Sequence, residues 1–179
     1  MSRFSLAVVL GLAACSPAPV ANLPEDRIPR PAVRAFIEYA SVLGGGQLRC
    51  SAMAVAQAPR AEIDINDDGR MDYAIDTRQL SCIAQSGSAT SYFCGYTDCA
   101  FPVIVSTGDG WSVIPMMSGN SIEAVSHYRD ARFRVRSLDR GNPQSPGVLV
   151  RDYAWREGHL VRVHQTTEQP EQLARRQPS

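Results

Sequence analysis

The chain predicts a mainly β, α+β domain, and three observations carry that prediction. Short runs of alternating apolar and polar residues recur from Ala61 to His164, with turn-forming residues between them. Only Pro31 to Leu43 repeats apolar residues at helical spacing. Besides Cys15 there are four cysteines, an even number that suits two disulfides. The expectation is an antiparallel sheet with one N-terminal helix on a face and two cross-links holding it.

Met1 to Ala14 begins with Arg3, continues through the apolar run Leu6 to Leu12 and ends in small residues, the layout of a secretory signal. The run is far shorter than the ~20 residues a helix needs to cross a bilayer. Its ending, Leu12-Ala13-Ala14-Cys15, resembles the lipobox of bacterial lipoproteins. That resemblance implies cleavage before Cys15 and acylation of its thiol, which anchors the chain to a membrane. Ser16 rather than Asp at the next place implies sorting to the outer membrane, facing the periplasm. Cys15 to Arg30 contains Pro17, Pro19, Pro24 and Pro29 and reads as a tether.

From Pro31 the pattern becomes that of a folded domain. Pro31 suits a helix start, and Val33, Phe36, Ile37, Ala40 and Leu43 follow at helical intervals. Gly44-Gly45-Gly46 ends the helix. Ala61 to Ile65 and Met71 to Asp76 alternate on either side of a polar turn, a hairpin signature. Further strands are expected at Phe101 to Ser106, Trp111 to Pro115, Ile122 to Val125, Arg132 to Leu138, Gly147 to Ala154 and His159 to His164. Gly108-Asp109-Gly110 and Glu157-Gly158 mark tight turns. The domain is expected to span 31–164, and Gln165 to Ser179 to form a loose polar tail.

The chain has 179 residues and is 44% hydrophobic, enough for one domain with a real core. Eighteen basic side chains, all Arg, balance eighteen acidic ones, so a nucleic-acid partner is not expected. Four cysteines allow three pairings. We expect Cys50–Cys82 and Cys94–Cys99, because the segment between Cys94 and Cys99 holds Gly95 and turn-forming polar residues and can close on itself. His127, His159 and His164 show no ligand spacing to the cysteines, which argues against zinc.

The sharpest constellation is Asp64-Ile65-Asn66-Asp67-Asp68-Gly69-Arg70-Met71-Asp72. Oxygen side chains occupy the first, third, fifth and ninth places, and Gly the sixth. Ca²⁺ takes six to eight hard oxygens at loose geometry, and alternate places on a curling loop aim them inward. Asp64, Asn66, Asp68 and Asp72 would supply side-chain oxygens and Arg70 its backbone carbonyl, with Asp67 turned to solvent. The stretch resembles an EF-hand loop but carries Ile75 where that family has a bidentate Glu. With strands as flanks, it is more similar to the Asp-x-Asn-x-Asp-Gly-x-x-Asp calcium loops of integrin-type β-propeller repeats. A weak, structural calcium site is the expectation. The loop, Cys82, Phe93-Cys94-Gly95, Cys99 and Val105 to Gly110 together resemble a group of uncharacterised exported proteins of alphaproteobacteria. That resemblance supports the cysteine pairs and implies no activity.

Weaker signals remain. Arg132, Arg134 and Arg136 alternate with Phe133 and Val135, which makes them a row on one strand face. Such a row could grip an anionic polymer or simply be a solvated face over the core. His159 and His164, at odd separation, are expected on opposite faces. No Gly-x-Ser-x-Gly elbow occurs. Trp111 and Trp155 are expected in the core. Ser86 to Tyr92 resembles the Ser-Gly-Ser…Tyr stretch of membrane-bound lysozyme-inhibitor lipoproteins, whose serines enter the lysozyme cleft. The leading expectation is a non-enzymatic, lipid-anchored envelope module with an envelope protein or peptidoglycan as partner. The alternatives are a cell-wall hydrolase inhibitor and a periplasmic enzyme using the loop carboxylates.

Overall fold

Three antiparallel sheets and two helices build the protein in a computed structural model that describes residues 28–169 except 88, 91, 128–129 and 140–146. Helix α1 (Arg30–Leu43) has Pro31 in its first turn and ends where Gly45 and Gly46 take left-handed backbone angles. It buries Ala32, Val33, Phe36 and Ala40 along one stripe. Packing starts before the helix, since Ile28 is buried in the same core. Ile28, placed in the tether by the sequence reading, thus belongs to the core; 16–27 lie outside the described residues, as do Cys15 and the leader.

Strand β1 (Leu48–Cys50) follows, then the short helix α2 (Ala52–Gln57). Strands β2 (Arg60–Ile63) and β3 (Asp72–Ile75) form the expected hairpin. Strands β4 (Cys82–Ala84) and β5 (Ala89–Thr90) complete a small sheet in the order β1-β4-β5. Within it Cys50 and Cys82 are direct register partners and form one disulfide. The second joins Cys94 to Cys99, so both expected pairings are present. In the chain-entropy model, closing the 32-residue separation stabilises by about 3–4 kcal/mol and the five-residue one by about 2.

Strand β6 (Cys99–Thr107) and strand β7 (Gly110–Gly119) join the hairpin in a central sheet, β2-β3-β6-β7. The β6–β7 register shifts between Phe101 and Val103, beside Pro102 and Pro115, residues that have no N–H to give the ladder. A third, outer sheet contains β8 (Ser121–His127), β9 (Asp130–Asp139), β10 (Gly147–Arg156) and β11 (His159–Glu168), ordered β11-β10-β9-β8. The chain crosses between sheets at Gly119-Asn120. A Cβ on Gly119 would stand 2.4 Å from Val135 Cγ1, so only glycine lets β7 pass β9 there.

The central sheet separates two cores. On one face Tyr73, Ile75, Ala100 and Ile104 meet α1, α2 and the cross-linked sheet. On the other, Phe101, Val103, Val105 and Met117 meet Phe133 and Val135 of β9. Trp111 and Trp155 are half-buried at the margins of these two cores. Among the described residues no helix is long and apolar enough to cross a membrane.

Strand β11 runs through Glu168, paired as far as Val148↔Glu168, so Gln165 to Glu168 are not part of a tail; 170–179 lie outside the described residues. Register partners in this strand also correct the histidine reading. Asp152 faces His164 and Arg156 faces His159, and a bulge at Asp152/Tyr153 absorbs one extra residue of β11. Both histidines therefore share the outer face. The short elements β1, α2, β4 and β5 were not anticipated.

Arg132, Arg134 and Arg136 line the outer face, and each meets a carboxylate. Arg134 grips Asp152 with two bonds of 2.7 and 2.9 Å. Arg136 meets Glu123 at 2.6 Å, and Arg132 meets Asp130 at 3.0 Å. Asp152 is 1% exposed. The Arg134 hydrogen bonds hold its carboxyl below the usual range against the upward push of burial, helped by the charges of Arg134, His164 and Arg132. A depressed folded pKa contributes stability that is present above the unfolded value and lost as pH falls through the folded one. Arg134→Met is thus expected to cost about 3 kcal/mol at neutral pH by leaving a buried charge underpaired. In urea titrations the deficit should fade below the ordinary carboxylate range; a pH-independent deficit would show that lost packing, not charge, is the cause.

Candidate functional site

The segment from Asp64 to Asp72 joins β2 to β3 at one end of the central sheet. Its path needs two left-handed residues, Asp67 at φ 60° and Gly69 at φ 83°. A Cβ on Gly69 would meet nothing, so backbone angle rather than space selects glycine there. Asp67 is exposed, as expected.

Loop oxygens are engaged by loop N–H groups. Asp64 Oδ1 accepts from the Asp68 amide at 3.1 Å and its Oδ2 from Gly69 at 2.8 Å. Asn66 Oδ1 accepts from the Asp68 amide at 3.2 Å, and Asp68 Oδ1 accepts from the Arg70 amide at 2.9 Å. The Asp64 and Asn66 oxygens each retain a second lone pair, whereas Asp68 Oδ1 also lies 2.9 Å from the Ser106 hydroxyl. All are hard oxygens, the donor class that Ca²⁺ takes.

Asp72 differs from the others because it is fully buried. Its Oδ2 accepts from the Ile65 amide at 2.8 Å and its Oδ1 from the Ser106 amide at 2.7 Å. Burial pushes its carboxyl above the usual range, outweighing those bonds and the Ser106 hydroxyl, and the Asp68 charge adds to the rise. Burial pushes Asp68 upward too, but hydrogen bonds from Ser106 and Arg70, with the Arg70 charge, leave it below the usual range.

Ser106 was missed by sequence reasoning and stands at the centre of this cluster. Its Oγ lies 2.9 and 2.8 Å from the two Asp68 oxygens and 2.9 Å from Asp72 Oδ1. One hydroxyl hydrogen serves two carboxylates, one at a time. Its carbonyl also accepts from Asn66 Nδ2 at 2.7 Å. The available signal was a hydroxyl at the end of the otherwise apolar run Phe101 to Val105.

Arg70 entered the sequence reading only through its carbonyl, yet its side chain is also committed here. The guanidinium lies 3.3 Å from Asp68 Oδ2, donates to the Thr107 carbonyl and sits over the Trp111 ring at 5.4 Å. The structure thus brings Asp64, Asn66, Asp68, Arg70 and Asp72 to one loop. Among the described residues, no three His, Cys, Asp or Glu side chains converge closely enough to hold a metal ion.

Other residues singled out from sequence do not join this site. The arginine row and both described histidine side chains lie on the outer sheet. Ser88 and Ser91 of the lysozyme-inhibitor-like stretch lie outside the described residues, and so does the lipidation candidate Cys15. Comparison with protein-family models, with curated proteins and with solved structures returns no match.

Ser106→Ala removes the hydroxyl between two carboxylates while keeping the N–H bond to Asp72. In urea denaturation at neutral pH with chelator present, it should destabilise by about 1–2 kcal/mol. A loss close to zero would mean that the hydroxyl carries no bridging role.

Proposed function

We propose that this protein is a lipid-anchored, non-enzymatic binding or scaffolding module of the bacterial cell envelope, with a calcium ion stiffening the β2–β3 loop. The observation that carries the reading is the pair of disulfides, cross-links that persist in oxidising compartments outside the cytosol. The Leu12 to Cys15 leader supports the same address. One acyl chain binds a membrane only marginally, so stable anchoring needs more than one acyl group on Cys15.

Charge balance supports the ion. Asp64, Asp67, Asp68 and Asp72 stand within nine residues against Arg70 alone. Asp72 is buried beside Asp68, an arrangement that a divalent cation relieves. Asp64, Asn66, Asp68, Asp72 and the Arg70 carbonyl would hold it. Without a bidentate Glu, affinity should fall near ~10⁻⁴–10⁻³ M, the range of extracellular modules. The ion's chemistry is structural, fixing the loop against β6. The envelope partner would be a protein or peptidoglycan, reached from the anchored position.

Thermal melting tests the ion. Calcium at tenfold excess over its dissociation constant should stabilise by about 1.4 kcal/mol relative to chelator, and Asp68→Ala should lose that gain. An unchanged melting temperature in millimolar calcium would dispose of the metal. Cell fractionation tests the address: the native chain should pellet with membranes and Cys15→Ser should not. Membrane retention of Cys15→Ser would count against lipidation.

A further inference from the structure

The cross-linked sheet carries a groove on its outer face that the proposed function does not use. It has a volume of about 260 Å³ and lies between the Gly46-Gln47 and Ala84–Gly87 turns, with Arg49 and Ile83 between them. Leu48, Cys50 and Cys82 point inward and are buried, so strand alternation turns Arg49 and Ile83 outward. These two are direct register partners. The next pair along is the Cys50–Cys82 disulfide, which holds the two strands at fixed separation beneath the groove.

Arg49 differs from the arginines held in ion pairs, and it lines a groove. Arg132, Arg134, Arg136 and Arg156 of the outer sheet, together with Arg60, Arg70 and Arg78, face carboxylates, and Arg151 donates to the Ser118 carbonyl and the Ser137 hydroxyl. Among the described residues the Arg49 guanidinium has no hydrogen bond and no ion pair. Around it stand the carboxamides of Gln47 and Gln85 and the exposed side chain of Ile83, 54% accessible. Gly46 and Gly87, both left-handed, place no side chain across the mouth.

We infer that this groove binds the free carboxylate end of a short peptide with small apolar terminal residues. A guanidinium fork matches a carboxylate with two parallel N–H bonds, the carboxamides reach its neighbouring peptide group, and Ile83 takes a methyl side chain. The volume lies below the ~300–1,000 Å³ of pockets that enclose drug-sized ligands, so a terminal residue or two fits rather than a length of chain. An exposed cation sets a millimolar affinity, suited to a ligand repeated many times on a polymer. Only the natural source of the peptide rests on the envelope reading; the groove's chemistry does not.

The test uses the full processed protein, isotope-labelled in detergent micelles, titrated with acetyl-Ala-Ala and with the same peptide capped as an amide. Backbone amide signals of Arg49, Ile83 and Gly87 should shift and saturate in the millimolar range with the acid. Amide capping and Arg49→Gln should each weaken that response roughly tenfold, with the melting temperature unchanged for the variant. Arg49→Lys should retain part of it, as a point charge without the fork. Equal responses to acid and amide, an undiminished response in Arg49→Gln, or no shift in the groove would each overturn the inference. Absence of the groove response in a protein that still pellets with membranes defeats the groove alone. A full response in a protein found in the cytosol defeats the envelope reading alone.

Discussion

The buried carboxylate of Asp72 is the constraint on which the central sheet depends. Strand β3 pairs with β6 at only two register positions, Tyr73↔Ile104 and Ala74↔Val103. Asp72 continues that pairing through its side chain, taking the amide of Ser106 on β6 with one oxygen and the amide of Ile65 with the other. It therefore ties both ends of the acidic loop to the strand that crosses the middle of the molecule. Burying a charge carries a desolvation cost of several kcal/mol, and the donors on this carboxylate offset part of it. The same burial raises the affinity of Asp72 for a proton, and it makes a cation beside Asp68 electrostatically favourable.

The two cores are held by different means. Between the central and outer sheets, long strands bring Phe101, Val103, Val105, Phe133 and Val135 together, and apolar burial suffices. On the helix side the strands are three residues or fewer and could not hold register by ladder bonds alone. The Cys50–Cys82 cross-link does that work, fixing a short sheet over Phe36, Val55 and Leu80. The same cross-link fixes the spacing of Arg49 and Ile83, so the stabilising device and the proposed binding groove share one pair of strands.

The outer sheet shows why a charge pattern in sequence does not reveal a charged surface. Arg132, Arg134 and Arg136 read as a row of three cations, yet their partners come from Glu123 on β8, Asp130 at the start of their own strand and Asp152 on β10. Interleaved carboxylates convert the row into a neutral lattice of ion pairs. Arg49, alone in its segment, gives a weaker signal in sequence but faces no acid in the fold.

Local periodicity made the long elements legible. Helix α1 and strands β6 to β11 could be read from runs of apolar and β-forming residues between turn signals, and the cysteine count implied cross-links whose pairing the fold bears out. Strands β1, β4 and β5 and helix α2 are too short for a period to repeat, so nothing in the chain announced them. The acidic loop was legible as chemistry, because its residue types and spacing lie within nine positions. Tertiary structure alone decided that Ser106, 34 residues from Asp72, closes that loop. It also decided that a bulge puts His159 and His164 on one face, that Ile28 belongs to the core, and that Arg49 stays unpaired. Spacing along the chain constrains only neighbours; contacts between distant strands follow from which faces pack together, and one extra residue in a strand reverses every face beyond it.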